Sequence, residues 1–168
     1  MCIEFQTKGN SIGEGIAKGI NEAIDIAEKD GWNGIVIGNN DKQFSVGANL
    51  MNMGMMAMQK NFDEIEKFLV GFQKILMRMR TCNVPVVSAT HGFVLGGGLE
   101  VSIHCDAGIH ASESYIGLVE AGVGLIPGGG GTKEMAMRAS DSFNSGDVKM
   151  PSLIAVSYTH LRAHETSI

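Results

Sequence analysis

Residues 91–106, HGFVLGGGLEVSIHCD, place three consecutive glycines between an apolar run and Glu100. Glycine loses more backbone freedom on folding than any other residue, so three in a row need a structural reason. A strand that ends in glycines and enters a helix exposes backbone N–H groups at the helix start, where the helix dipole adds positive potential. The stretch therefore predicts a strand, a tight turn that can bind an oxyanion, and a helix with Glu100 in its first turn. A packing turn without any ligand is the alternative that this stretch alone leaves open.

Strands and helices are predicted to alternate on both sides of this stretch. Apolar residues at helical spacing predict one helix after Asn10-Ser11 and a longer one after Asn61. Short apolar runs predict buried strands, and residues 135–154 begin a further helix. This alternation indicates an α/β fold with right-handed crossovers. The predicted strands cover residues 2–7, 34–38, 84–90 and two short segments within 107–118.

Composition and charge exclude several classes of partner. The chain has 168 residues, 44% of them hydrophobic and 18% charged, which suffices for one domain with a hydrophobic core. Its net charge is −5 and no basic stripe is present, so we expect no nucleic-acid partner. No apolar run reaches the length of a membrane span, and the first residues lack a basic signal-peptide region. We therefore expect no membrane span and a cytoplasmic location.

The metal-ligating residue types do not form a recognisable site. The three cysteines contain no CxxC motif, and the histidines before residue 156 show neither HxxxH nor HExxH spacing. No metal site is expected.

The last residues require a separate interpretation. The stretch VSYTHLRAHET (156–166) resembles one reading frame of a common sequencing-library adapter. We therefore divide the chain into a folded domain at 1–155 and an adapter-derived or disordered tail at 156–168. A natural disordered tail is the alternative.

The glycines do not match the commoner ligand-binding motifs. In residues 124–133, GLIPGGGGTK, the lysine follows a threonine, so the phosphate-binding P-loop pattern fails. The dinucleotide pattern GxGxxG fails as well, because Val101 stands where the third glycine should be. No GxSxG motif is present, which leaves a serine hydrolase of that type without its nucleophile.

A second carboxylate favours acid–base chemistry over a packing turn. Glu120 is the one charged residue between Tyr115 and Thr132. Burying an ionised carboxylate without a partner costs several kcal/mol, so this position predicts either a partner or a raised pKa. Raised carboxylate pKa values serve proton transfer near neutral pH. An exposed loop glutamate is the alternative.

Three motifs in order resemble one superfamily. FSVGANL (44–50), HGFVLGGGLEVSIHCD (91–106) and GLVEAGVGLIPGGGG (117–131) together resemble the crotonase, or enoyl-CoA hydratase/isomerase, superfamily over about residues 1–154. More narrowly, residues 117–140 resemble the hydratase portion of bifunctional 3-hydroxyacyl-CoA dehydrogenase/enoyl-CoA hydratase proteins.

The resemblance implies a fold and a set of partners. The fold would be α/β, a crotonase-like (ClpP/crotonase) spiral of ββα units that is incomplete at 1–155 because the family's C-terminal helices are missing. The expected partner is an acyl-CoA thioester as substrate, in a protein that is oligomeric when intact. We expect no cofactor in this segment, whereas NAD would bind in a dehydrogenase part upstream.

The resemblance also implies an activity and its residues. It predicts an enoyl-CoA hydratase, a lyase that adds water syn to trans-2-enoyl-CoA in fatty-acid β-oxidation. The backbone N–H groups of Ala48 and Gly97 would form the oxyanion hole. Glu100 and Glu120 would be the catalytic pair that holds the water, with Glu100 activating it and Glu120 delivering a proton to C2. The expected substrate-binding residues are Val46, Gly47, Asn49, Leu50, Gly96, Pro127 and Gly128.

Three alternatives stay open at this point. Double-bond isomerisation could use the same oxyanion hole, although isomerases commonly keep one of the two glutamates. A catalytically inactive, truncated fragment is a non-enzymatic possibility. A glycosidase with paired carboxylates is disfavoured, because one Trp and two Tyr offer little aromatic surface for stacking sugars.

Overall fold

In the computed structural model, which describes residues 1–144 and 161–162, a parallel sheet forms the first layer. Neighbouring strands pair in parallel through the whole sheet, with Ile37 opposite Ser88 and Ser88 opposite Gly108. The carboxyl ends of all four strands therefore meet at one edge. In spatial order the strands are β1 (Cys2–Glu4), β2 (Ile35–Gly38), β3 (Val86–Thr90) and β5 (Ala107–His110).

A smaller second sheet contains β4 (Phe93–Leu95), β6 (Tyr115–Gly117) and β7 (Leu161–Arg162). Strand β4 pairs with β6 in parallel, and β7 pairs with β6 antiparallel. Strand β7 lies within the predicted tail at 156–168, whose other residues are outside the described ones. The interpretation of that tail as adapter-derived stays a prediction.

Five helices alternate with the strands of the described residues. Strands β3 and β4 are followed by the short helix α4, and β5 and β6 are followed, after a 3-10 turn, by α5. Each pair of strands contributes one strand to each sheet before its helix. This repetition of ββα units confirms the predicted α/β, crotonase-like spiral. The helices are α1 (Glu14–Lys29), α2 (Leu50–Met58), α3 (Phe62–Thr81), α4 (Gly97–Ile103) and α5 (Gly131–Asn144).

The long helices α1 and α3 cover the parallel sheet with their apolar faces. Residues three or four apart share one side of a helix, so each helix presents a continuous apolar stripe. The two helices also form an ion pair: Arg78 Nη2 of α3 lies 2.5 Å from Asp25 Oδ1 of α1. The stripes contribute Ile20, Ile24 and Ala27 from α1 and Phe72, Leu76 and Met79 from α3 to the core.

None of the helices in the described ranges is both long and apolar enough to cross a membrane.

Candidate active site

Hydrogen bonds to β4 bring two glycine-containing turns side by side. The Ser45 N–H donates to the Phe93 carbonyl at 2.9 Å, and the Leu95 N–H donates to the Ser45 carbonyl at 3.0 Å. The chain after Ser45 therefore runs beside the strand that leads into the three glycines. Gly47 follows with φ +90°, a conformation that favours glycine. A Cβ at Gly47 would lie 2.8 Å from the Leu95 carbonyl oxygen and 3.2 Å from the Gly97 nitrogen, so the two turns touch.

Each of the two turns carries one backbone amide without a hydrogen-bond acceptor among the described residues, and these two amides lie near each other. Gly97 is the first residue of α4, where a backbone N–H has no acceptor within the helix. On the other turn, the N–H of Ile12 donates to Gly47 and the N–H of Asn49 donates to Ile12, which fixes the backbone on either side of Ala48. Within the described part of the chain, neither the Ala48 nor the Gly97 N–H has a hydrogen-bond acceptor. Two such donors at touching turns can bind one oxyanion.

Glu100 lies in the first turn of α4 and is buried, with 2% of its surface exposed. The Gly131 N–H, at the start of α5, donates to Glu100 Oε1 at 2.9 Å. The pKa of Glu100 is raised to about 7, chiefly by burial and partly by the negative charge of Glu120, whereas hydrogen bonds from the Gly129–Gly131 amides oppose the rise. The charge of Glu120 acts on this pKa, so the two carboxyl groups are close enough to interact.

Glu120 begins the 3-10 turn Glu120–Val123 and points its carboxyl group at the glycine turn. A Cβ at Gly96, where φ is +50°, would lie 3.0 Å from Glu120 Oε1. Burial raises the pKa of Glu120 above its usual range. Its Oε2 is buried and has no hydrogen-bond partner among the described residues. Glu120 thus lacks the amide donors from a neighbouring helix that stabilise negative charge on Glu100.

The structure brings the two glutamates and both amides to one site, with the other predicted residues around it. Val46 and Leu50 lie on the same turn as Ala48 and are exposed. The Asn49 side chain accepts a hydrogen bond from the Asn52 N–H and so caps α2. On the opposite side, the Gly128 carbonyl accepts a hydrogen bond from Gln73 Nε2 at 2.6 Å.

Pro127 is partly exposed beside this segment. The catalytic and substrate-binding roles assigned to these residues stay predictions.

Two neighbours of Glu100 were not predicted from the sequence. Gly131 supplies its amide donor, and His104 lies one helical turn further along, with Nδ1 2.7 Å from the Glu100 carbonyl oxygen. The spacing from Glu100 to His104 is a sequence signal that could have identified the histidine. The Gly131 contact joins residues 31 positions apart, and no local pattern indicates it.

Comparison with known proteins places this chain in a family. The sequence model of the enoyl-CoA hydratase/isomerase family matches residues 1–149. A protein of Bacillus subtilis (strain 168) named "Probable 3-hydroxyacyl-CoA dehydrogenase" is 44% identical over 79% of this chain and 17% of its own length. The "Short-chain-enoyl-CoA hydratase" of Clostridium acetobutylicum is 36% identical over 61% of this chain and 38% of its own length. This chain therefore spans well under half of these relatives.

A solved structure shows the same fold and a related sequence. The enoyl-CoA hydratase from Polaromonas sp. JS666 superposes with a TM-score of 0.78 and 25% identity, covering 82% of this chain and 54% of that one. These similarities confirm the resemblance stated above for the three motifs. The chain belongs to the enoyl-CoA hydratase/isomerase family.

Proposed function

We propose that this chain catalyses the syn addition of water to a trans-2-enoyl-CoA. The observation that carries the proposal is the meeting of two unused amides, at Ala48 and Gly97, with two neighbouring carboxyl groups, at Glu100 and Glu120. The name "Short-chain-enoyl-CoA hydratase", borne by a relative, supports the same reaction class.

The amides act on the thioester carbonyl. As the water oxygen forms a bond to C3, the C2–C3 π electrons move toward C1 and negative charge develops on the thioester oxygen. The Ala48 and Gly97 N–H groups donate to that oxygen and stabilise the enolate. They are fixed before substrate arrives, by the start of α4 and by the hydrogen bonds around Ile12, so no reorganisation is needed during the reaction.

The glutamates move the protons. Glu100, whose negative charge is stabilised by amides of α5, accepts a proton from the water as its oxygen bonds to C3. Glu120 donates a proton to C2, and the enolate collapses to the 3-hydroxyacyl-CoA. The product has gained one water, while Glu100 holds a proton that Glu120 has lost. Transfer of that proton between the neighbouring carboxyl groups, directly or through solvent, restores the starting state.

The rate of hydration is expected to depend on pH in a bell shape. The pair must carry one proton, because two protons remove the base and none removes the acid. Burial raises both pKa values, and the charge of Glu120 contributes to the rise of the Glu100 pKa to about 7. We therefore expect kcat/KM to fall as pH rises past about 7 and also toward acid, with the acid limb above the ordinary glutamate range. A pH series of initial rates measures it, and a profile that is flat across this range would contradict the shared proton.

A substrate comparison tests the reaction class. We expect the full chain to consume trans-2-butenoyl-CoA with loss of its conjugated absorbance and to release 3-hydroxybutanoyl-CoA, identified by chromatography. Given 3-hexenoyl-CoA, an isomerase would produce trans-2-hexenoyl-CoA, and the proposed hydratase would do so much more slowly than it hydrates. Isomerisation without hydration would replace the proposal by the isomerase alternative. If the chain catalyses neither reaction, that result would favour the inactive-fragment alternative.

We further propose that the product passes to a 3-hydroxyacyl-CoA dehydrogenase that uses NAD. A protein with that activity in its name is 44% identical to this chain over 133 residues. Hydration produces the 3-hydroxyacyl-CoA that such an enzyme oxidises, as in fatty-acid β-oxidation. Sequencing the DNA upstream tests the physical link, because an adjoining frame should encode a GxGxxG motif after a predicted strand. Oligomeric assembly and a cytoplasmic location stay predictions.

A further inference from the structure

A buried acidic residue behind the site has no part in the reaction described above. Glu134, in the first turn of α5, is fully buried. Its Oε1 pairs with Arg80 at the end of α3 and with Arg138 Nε, one turn further along α5, at 3.0 Å. Its Oε2 lies 3.9 Å from His104 Nε2 and 3.8 Å from Lys133 Nζ and accepts no hydrogen bond from the described residues.

This carboxylate joins the three helices that surround Glu100. Arg80 belongs to α3, and Arg138 Nη2 also donates to the Ile103 carbonyl at the end of α4, at 2.6 Å. Glu134 itself belongs to α5. Burial alone would raise its pKa, but the hydrogen bond from Arg138 and the charge of Arg80 outweigh that effect and lower it. Glu134 is therefore ionised at neutral pH and compensates the arginines that meet there.

Two paths connect this cluster to Glu100. The first path runs along α5, where the Glu134 N–H donates to the Gly130 carbonyl at 2.9 Å. Gly131, which follows Gly130 in the chain, donates its N–H to Glu100 Oε1. Through α4, His104 places Nδ1 2.7 Å from the Glu100 main-chain oxygen. A carbonyl oxygen only accepts, so His104 carries its proton on Nδ1. Burial lowers the pKa of His104, which leaves Nε2 unprotonated and facing Lys133 and Glu134.

We propose that Glu134 is a positioning residue for the hydratase reaction: its ion pairs to Arg80 and Arg138 hold the start of α5 against α4, so that the Gly129–Gly131 amides stay on the Glu100 carboxylate. The inference rests on the proposed function for its effect on rate, although the effect on Glu100 itself does not require turnover. Without this anchor the amides move away from Glu100. The pKa of Glu100 then rises further, so less of it is ionised at neutral pH and able to act as the base.

The test uses Glu134→Gln in the full chain, which keeps the shape of the side chain and removes its charge. Infrared difference spectra over a pH series give the titration of Glu100, identified as the carboxyl signal that disappears in Glu100→Gln. The charged and titratable groups nearest the two carboxylates, namely Glu120, Arg80, His104, Lys133 and Arg138, remain in the variant. We expect the Glu100 titration to move to higher pH. We also expect kcat for trans-2-butenoyl-CoA to fall about tenfold or more with KM nearly unchanged, as for a misplaced catalytic group.

Two further variants make the result decisive. Arg138→Gln removes one partner from a half-exposed position, so it should fold even if Glu134→Gln does not, and should shift the Glu100 titration in the same direction by less. Asp25→Asn removes one of the ion pairs between α3 and α1, and should leave both the titration and kcat unchanged. An unmoved Glu100 titration in folded Glu134→Gln or Arg138→Gln overturns the inference. If the wild-type chain hydrates no enoyl-CoA, the proposed function fails, and the titration still decides the role of Glu134.

Discussion

Replacing Glu120 with glutamine is expected to lower kcat for hydration by about 10²–10⁴-fold, the usual contribution of a positioned acid or base. The amide keeps the size of the side chain and its place beside Gly96, but it cannot deliver a proton to C2. Because Glu120 makes no hydrogen bond through Oε2 within the described residues, the substitution breaks no contact of that oxygen. Initial rates with trans-2-butenoyl-CoA measure the effect.

The same substitution should not destabilise the fold. A carboxyl group whose pKa is higher in the folded than in the unfolded state binds its proton more tightly when folded. Its contribution to stability is therefore present at acid pH and declines as pH rises through the ordinary glutamate range toward the folded-state pKa. At neutral pH the cost of keeping an ionised carboxylate at this buried position is absent in the glutamine variant. Urea unfolding should therefore show equal or greater stability in Glu120→Gln. The control is Glu113→Gln, the same change at an exposed position, which should leave kcat unaltered. A Glu120→Gln variant with wild-type kcat would remove Glu120 from the mechanism.

Local periodicity was sufficient to predict the strands and helices of an α/β fold. The apolar runs at 34–38 and 84–90 contain β2 and β3, and the glycine stretch forms the strand, turn and helix that its composition predicted. These elements are specified by residues close together in sequence, through burial patterns and the backbone freedom of glycine. The three separated motifs then fixed their arrangement by resemblance.

Helix boundaries were less predictable where distant contacts decide them. Asn10-Ser11 was predicted to cap the first helix, yet α1 begins at Glu14, with Gly13 at the cap position. Asn10 is buried instead, and its side chain donates to the Gln43 carbonyl at 2.9 Å. A partner 33 residues away thus took the side chain that local chemistry assigned to a cap. The methionine-rich segment was not assigned a helix, although α2 spans Leu50–Met58.

In the candidate site, too, the residues marked by local sequence were predictable and those defined by distant contacts were not. Glu100 and Glu120 stood out because each interrupts an uncharged, glycine-rich stretch, and the structure brings them close enough for the charge of Glu120 to raise the pKa of Glu100. The groups that govern Glu100 could not be found in this way. The Gly131 amide and the Arg80–Glu134 pair join residues 31 and 54 positions apart, and the latter looks like ordinary surface charge in the sequence.

Removing the amide hydrogen at Gly97 is expected to cost about 10²–10³-fold in kcat, since that is the effect of deleting one donor from an oxyanion hole. Gly97→Pro achieves this with little damage, because proline is well tolerated at the first position of a helix. Gly96 before it has φ 50° and ψ −122°, which lies outside the helical region that proline disfavours in its predecessor.

The matched control is Gly97→Ala, which adds a Cβ and keeps the N–H. That Cβ would lie 3.5 Å from the Ala48 nitrogen, 3.6 Å from Ile12 Cδ1 and 3.7 Å from Phe72 Cε1, all ordinary contacts. Crowding of the bound oxygen by a Cβ is common to both variants, so the ratio of their kcat values reports the loss of the N–H together with the ring Cδ that replaces its hydrogen. Circular dichroism and urea unfolding should show that both variants fold. Equal kcat values in folded Gly97→Pro and Gly97→Ala would mean that the thioester oxygen does not bind at Gly97. A group other than the Gly97 amide would then have to stabilise the negative charge that develops on the thioester oxygen.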